Sequence, residues 1–129
     1  IVVAVDAKKI GSNWIVFSHG GTVNTNINAL KWLENIQKLG AGEVLLTSMD
    51  RDGTKSGFDL DLLKAATNIL DIPVIASGGI GTKEHFFEGV SYGGASALLA
   101  ASVFHFNEFS INDIKNFLLK KNIKVRINE

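Results

Sequence analysis

Small and polar residues follow the third of four short apolar runs in this sequence, and their types suit the binding of an anion. Ser77, Gly78 and Gly79 come directly after Ala76 and precede an amphipathic stretch. Glycines bring backbone N–H groups close to a phosphate, and the start of a following helix favours its negative charge. A tight strand-to-helix turn with ordinary capping is the alternative, so these residues alone leave both interpretations open.

Ala101 and Ser102 repeat this arrangement after the fourth apolar run, where a small residue stands beside a hydroxyl. If the runs are neighbouring parallel strands, the two turns lie side by side at the same edge of the sheet. Two adjacent signals in this order favour a phosphate-binding site over a pair of structural turns.

A carboxylate, Asp6, ends the first apolar run, which covers residues 1–5. Such a residue either forms a salt bridge with Lys8 or Lys9 or acts at a reaction centre as a general acid or base. Its position at the end of a strand favours the catalytic interpretation.

The second run is followed by Thr47 and by a loop over residues 49–57 that is rich in charge and glycine. Within this loop the Gly53 N–H and the Lys55 ammonium could cover a phosphorylated ligand. The alternative is a solvated loop with internal Asp–Arg pairs, which contribute little to stability.

The composition excludes several classes of site and partner. His19, His85 and His105 fall on separate segments without a paired carboxylate motif, so we predict no metal site. The absence of cysteine excludes a disulfide framework and a thiolate zinc site, and it favours the cytoplasm. Because 13 basic residues balance 13 acidic ones, we expect neither nucleic acid nor a membrane as a partner.

The elements that position these residues alternate between short buried strands and amphipathic helices, a pattern typical of a parallel sheet. We predict strands over residues 1–5, 43–47, 73–76 and 96–100. We predict helices over residues 25–39, after an Asp59 cap, over 83–92 and from Ser110 onward. We also predict a small hairpin around residues 14–17, over one mouth of the predicted barrel. Glu43 is an unusual charge at the amino end of the second strand.

Four strand–helix units in 129 residues are half of a complete (β/α)8 TIM barrel, which has eight units and ~250 residues. We therefore predict an α/β half-barrel that forms a single domain over residues 1–129. Its exposed sheet edges must be covered by a longer parent chain, a second copy or a partner. A complete doubly wound sheet is the alternative. Because the sequence opens on a strand without an initiating Met, we expect a segment of a longer chain.

Four motifs resemble those of the cyclase subunit of imidazole glycerol phosphate synthase, an enzyme of histidine biosynthesis. In the family's order they are VVAVDAK, GAGEVLLTSMDRDGTKSGFD, IPVIASGGIGTKEHF and ALLAASVFHF. The last motif separates the cyclase from its sister barrel, the phosphoribosylformimino isomerase, so the isomerase is the less favoured reading. The resemblance covers essentially the whole chain, and it implies units five to eight of a ribulose-phosphate-binding barrel.

The resemblance implies a lyase that uses ammonia to convert phosphoribulosyl formimino-AICAR phosphate into imidazole glycerol phosphate and AICAR, without a metal or cofactor. It implies Asp6 as a catalytic acid or base and Glu43 as part of an ammonia gate, at the mouth where a glutaminase subunit docks. Together, the resemblance and the glycine turn predict eight contacts to the substrate and its phosphate: Thr47, Asp52, Gly53, Ser77, Gly78, Gly79, Ala101 and Ser102.

The family's second catalytic aspartate belongs to the N-terminal half-barrel. We therefore expect full activity only when that half is supplied. The alternative is a non-catalytic half-barrel that binds phosphate and forms a homodimer through its open edges.

Overall fold

The computed structural model describes residues 1–127, which form one six-stranded sheet and five helices. The sheet has the order β3-β2-β1-β4-β5-β6. In chain order the elements are β1 (Val2–Ile10), β2 (Asn13–Ser18), β3 (Val23–Asn28), α1 (Ala29–Lys38), β4 (Glu43–Ser48), α2 (Leu60–Ile69), β5 (Val74–Ser77), α3 (Lys83–Ser91), β6 (Ala97–Leu99), α4 (Ser102–His105) and α5 (Ile111–Lys120).

Four strands run parallel in the order β1-β4-β5-β6, which is also their order along the chain. A doubly wound sheet would reverse its strand order at a switch point, and the described strands contain no such reversal. The chain therefore has an α/β fold that corresponds to half of a (β/α)8 barrel, as the strand–helix alternation predicts.

Alternate residues of each strand point to opposite faces of the sheet, and the two faces differ in burial. On the helix-packed face Val5, Leu46 and Val74 are each 1% exposed and join one core with the helices. On the other face Val2 is 53% exposed and Leu99 is 42% exposed. This second face corresponds to a barrel interior and is called the interior face below. It consists of Val2, Ala4, Asp6, Glu43, Leu45, Thr47, Ile75, Ser77, Ala97 and Leu99.

Side-chain caps fix where three helices begin. The Asn28 side chain accepts from the Lys31 N–H, and the predicted Asp59 cap is confirmed by its bond from the Leu62 N–H at 3.0 Å. Ser110 caps α5 as predicted, and the N–H of Ser110 donates to the Asp113 carboxylate at 3.0 Å. Hydrogen bonds from the Ser110 backbone and then its hydroxyl lower the pKa of Asp113 below its ordinary 3.8.

The segment between the first strand and the first helix is larger than predicted. The expected hairpin is confirmed, because β2 pairs antiparallel with the second half of β1. However, β3 adds another antiparallel strand, so the prediction of a helix from residue 25 is wrong and α1 begins at Ala29. The Thr25 hydroxyl donates to the carbonyl oxygen of Val16 at 2.6 Å, which holds this segment in the sheet.

Candidate active site

The register of the parallel strands aligns one row of residues near their carboxyl ends. Asp6 pairs with Thr47, Thr47 with Ser77, and Ser77 with Leu99. Residues paired across parallel strands point to the same face, so this row lies on the interior face, at the mouth where barrel enzymes hold their sites. Two residues nearer the amino ends, the corresponding row is wholly apolar and consists of Ala4, Leu45, Ile75 and Ala97.

A small cavity of about 50 Å³, called the glycine cleft here, lies at this mouth between the loops that follow β4, β5 and β6. Backbone N–H groups of Gly78, Gly79 and Ile80 have no protein acceptor among residues 1–127. A concave surface with unpaired N–H donors suits an anion. The lining residues are Asp52, Gly53, Lys55, Ser77, Gly78, Gly79, Ile80, Leu99, Ala100, Ala101 and Ser102.

The close approach of two loops depends on glycine at two positions. Gly78 and Gly79 have φ angles of 98° and 105°, in the region that side chains rarely adopt. A Cβ on Gly78 would lie 2.8 Å from the carbonyl oxygen of Ser48, and a Cβ on Gly79 would overlap the carbonyl oxygen of Gly57. The Gly57 N–H donates to the Gly79 carbonyl oxygen at 2.7 Å. The loops after β4 and β5 are thus joined through their backbones.

Polar side chains hold the loop over residues 49–57 in place. Nη1 of Arg51 donates to the carbonyl oxygen of Ser56 at 3.2 Å and to its hydroxyl at 3.3 Å. The internal Asp–Arg pairs of the alternative interpretation are therefore not formed among the described residues. Instead, the Lys55 ammonium forms a salt bridge with Glu108, which follows α4. This ion pair ties the loop to the segment beyond β6.

A second cavity, of about 170 Å³ and called the aspartate cleft here, adjoins the first. Asp52 lines both cavities, so the two clefts meet at this carboxylate. The residues that line the aspartate cleft are Asp6, Gly20, Gly21, Thr47, Met49 and Asp52. Together the two clefts contain every predicted substrate-binding residue and Asp6.

Asp6 has no salt-bridge partner within residues 1–127. The Lys8 ammonium lies 5.8 Å from the ring centre of Phe17, and the Lys9 ammonium lies 5.3 Å from the ring centre of Trp14. Both lysines therefore contact aromatic rings of the hairpin. The alternative in which Asp6 pairs with one of them is wrong, and its carboxylate is available to the aspartate cleft.

The antiparallel hairpin is anchored by two carboxylates, one within the loop after β4 and one at the start of α2. The backbone N–H of Lys9 donates to Oδ2 of Asp50 at 2.8 Å. Nε1 of Trp14 donates to Oδ2 of Asp59 at 3.3 Å. Asp59 also caps α2 with its other oxygen, so one side chain joins helix, loop and hairpin. The hairpin thereby brings Gly20 and Gly21 to the cleft.

Glu43 lies at the opposite end of the sheet from both clefts. It is exposed, pairs with Val2 across β1 and β4, and shares the interior face with Leu45 and Thr47. Glu43, Leu45 and Thr47 are alternate residues of β4. They therefore lie along the interior face from the amino mouth to the aspartate cleft.

Several contributors to the clefts were not predicted from the sequence. Gly20 and Gly21 reach the aspartate cleft from the turn after β2, and Met49 reaches it from the loop after β4. The glycine pair is a turn signal in the sequence. The helix α4 has only four residues, so its periodicity gives no signal. Among residues 1–127 no group of three or more His, Asp or Glu side chains is placed to hold a metal ion. No described helix is long and apolar enough to cross a membrane.

The fold and the two clefts define the class of protein: half of a TIM barrel with a polar site at the carboxyl ends of its strands. A family model described as "Histidine biosynthesis protein" matches residues 1–110. The chain belongs to this histidine biosynthesis family, and within it to the HisF sequences, as the four motifs predict.

Three relatives illustrate the match, each of them an "Imidazole glycerol phosphate synthase subunit HisF". The chain is 52% identical to that of Prosthecochloris aestuarii and 51% identical to that of Saccharolobus solfataricus, with 98% of this chain and 51% of each relative covered. It is 53% identical to that of Thermococcus gammatolerans, over 98% of this chain and 50% of the relative. The chain thus spans about half the length of the curated relatives it matches.

Proposed function

We propose that this chain is the C-terminal half, units five to eight, of the cyclase subunit of imidazole glycerol phosphate synthase. The observation that supports this most is the row of Asp6, Thr47 and Ser77 at the carboxyl mouth, beside two adjoining clefts. The half-length match to HisF relatives supports the same assignment.

The glycine cleft would bind one of the two phosphates of phosphoribulosyl formimino-AICAR phosphate. Its supply of unpaired N–H groups at Gly78 and Gly79 suits a phosphate, as does the Ser102 hydroxyl beside Ala101. Gly53 would contribute from the loop that covers the cleft. The zero formal net charge of the chain gives no long-range attraction, so these local donors would supply the affinity.

The aspartate cleft would hold the reacting part of the substrate. Ammonia adds to the substrate, and cyclisation and cleavage then release imidazole glycerol phosphate and AICAR. Asp6 would transfer a proton as a general acid or base, while Thr47 and Asp52 contact the substrate. A second carboxylate would come from the N-terminal half, and the reaction needs no metal or organic cofactor.

Ammonia would enter from the amino mouth, where a glutaminase subunit docks and Glu43 forms part of a gate. The exposed position of Glu43 on the interior face, in line with Thr47, supports this route. We assign this complex to the cytoplasm on the absence of cysteine from the chain.

An N-terminal half-barrel would complete the site by covering the interior face. Exposed apolar residues on that face support this, since Val2 is 53% and Leu99 42% exposed. So does β6, whose outer edge has no strand neighbour among residues 1–127. The same open edge favours the second candidate function, a homodimer of this chain that binds phosphate without turnover.

Ammonia-dependent consumption of the two-phosphate substrate tests these proposals. It should be measured with the chain alone and with the chain mixed with a separately produced N-terminal half, alongside the mass in solution. Turnover in the mixture that greatly exceeds that of the chain alone is the expected result. A homodimer that binds phosphate and stays inactive in the mixture would contradict the cyclase proposal and favour the binding half-barrel.

A further inference from the structure

The backbone N–H groups of the turn after β5 divide into two sets. Those of Gly78, Gly79 and Ile80 have no acceptor among residues 1–127, and these three residues line the glycine cleft. The next two N–H groups, of Gly81 and Thr82, both donate to Nδ1 of His85, at 3.0 Å and 3.2 Å. One imidazole thus accepts the two N–H groups that directly follow the three without an acceptor.

The His85 ring also lies close to Gly57, in the loop after β4. A Cβ on Gly57 would lie 3.2 Å from Cδ2 and 3.3 Å from Nε2 of the His85 ring. Gly57 in turn donates its N–H to the Gly79 carbonyl oxygen at 2.7 Å. One half-buried side chain on α3 thus binds the turn after β5 by two hydrogen bonds and lies beside the loop after β4.

The two hydrogen bonds from Gly81 and Thr82 require a hydrogen-bond acceptor on the side chain at position 85. Nδ1 accepts two N–H groups only in the tautomer that carries its proton on Nε2. His85 occupies the third position of α3, where Glu or Gln reaches back to the N-cap N–H in an ordinary capping box. An amide oxygen at this position can therefore replace the ring nitrogen, whereas an alkyl side chain cannot.

We propose that His85 is a positioning residue of the phosphate site: it holds Gly81 and Thr82 so that the N–H groups of residues 78–80 face the ligand. This inference rests on the proposed phosphate binding by the glycine cleft. His85 lines neither cleft, so its effect reaches the ligand through the turn and through Gly57.

Binding of inorganic phosphate to the 129-residue chain, measured by titration calorimetry, tests the proposal. The chain suits the test, because it contains Gly53, the glycine turn and Ser102, the groups proposed to bind the phosphate. His85→Leu should weaken phosphate binding about tenfold or more, because two N–H groups lose their acceptor and the turn relaxes. His85→Gln, which keeps an acceptor, should bind within about threefold of the unmodified chain. His105→Leu is the matched control, since its exposed ring accepts no backbone N–H among residues 1–127, and should leave binding unchanged.

The outcomes separate this proposal from the function it rests on. If the unmodified chain binds phosphate and folded His85→Leu binds it equally well, His85 has no positioning role while the phosphate site stands. A folded His85→Gln variant as weak as His85→Leu would also overturn the role of the acceptor. If His85→Leu fails to fold, His85→Gln still decides, because its loss of binding contradicts the proposal. An unmodified chain that binds no phosphate would overturn both the site and the inference.

Discussion

The two faces of this sheet have the same backbone and opposite burial. On the helix-packed face Leu46 is 1% exposed and belongs to a continuous core with all of the longer helices. On the interior face its neighbour Leu45 is only partly buried, and Leu99 is 42% exposed. The chain therefore closes the core between its own sheet and helices and leaves the interior face of the sheet open.

The polar groups divide in the same way. Asp6, Thr47 and Ser77 lie on the interior face. On the helix-packed face, Ser48 is the one buried polar side chain within residues 1–127. Burial of apolar area stabilises the fold, and polar groups aimed into an open mouth are available to a ligand. One face thus supplies the stability of this chain and the other supplies its candidate chemistry, a division that substitutions can test.

The largest effect is expected from Asp6→Asn in the barrel completed with its N-terminal half. Ammonia-dependent turnover should fall by about 10²- to 10⁴-fold, because the amide cannot transfer the proton. Substrate affinity and the free energy of unfolding should stay nearly unchanged, because Asp6 lies on the interior face and has no salt-bridge partner within residues 1–127. Steady-state kinetics and urea unfolding measure the two quantities.

The matched control for this variant is Asp61→Asn, an exposed carboxylate in the first turn of α2. It removes the same charge from the helix side and should leave turnover unaffected. Unchanged turnover in Asp6→Asn would remove Asp6 from the mechanism and, with it, the assignment of chemistry to the interior face.

The next largest effect is expected on the free energy of unfolding, at two adjacent leucines that point to opposite faces of β4. Leu46→Ala should lower the free energy of unfolding of the chain by about 2–5 kcal/mol, because it opens a cavity in a closed core. Leu45→Ala should cost only about 1 kcal/mol in the chain alone, since its side chain is already partly in water. Urea unfolding of both variants gives the difference.

Adding the N-terminal half should narrow this difference, because Leu45 then becomes buried as well. Equal losses for the two leucines in the chain alone would show that something already covers the interior face. If those losses also depended on protein concentration, the cover would be a second copy of this chain, and the homodimer would be favoured.

The order and boundaries of the elements were predictable wherever the signal was local. Asp59 and Ser110 are caps whose partners lie three residues further along the chain, so sequence spacing suffices to find them. The strands of the half-barrel are short apolar runs because both of their faces are apolar over most of their length. For the same reason Asp6, which interrupts such a run, could be identified as a candidate site residue.

The features of the fold and site that could not be predicted depend on contacts between segments that are distant in the sequence. The strand β3 carries Asn24 and Asn26 among few apolar residues, and it is recognisable only through its pairing with β2. The role inferred for His85 needs Gly57, which is distant in sequence and reaches the ring only through the interlocked loops. The meeting of the two clefts at Asp52 likewise depends on where the loop after β4 lies relative to the turns after β2, β5 and β6.

The smallest effect is expected on the pH dependence of stability, from Asp113 at the start of α5, on the helix-packed side of the sheet. Hydrogen bonds from Ser110 lower the pKa of Asp113 in the folded chain below 3.8. The folded chain therefore holds this carboxylate in its ionised form more strongly than the unfolded chain does. The stability that results is present above the ordinary pKa and is lost as the pH falls through the lowered pKa of the folded state.

Asp113→Asn should therefore be slightly less stable than the unmodified chain at neutral pH, and the difference should shrink as the pH falls below 3.8. Urea unfolding across this range measures it. Asp71→Asn, an exposed carboxylate that accepts no hydrogen bond among residues 1–127, controls for the loss of charge alone. Because α5 packs on the helix side, phosphate binding should not change in either variant. A loss of phosphate affinity in Asp113→Asn would mean that the two faces are coupled, and the division of stability from chemistry would no longer hold.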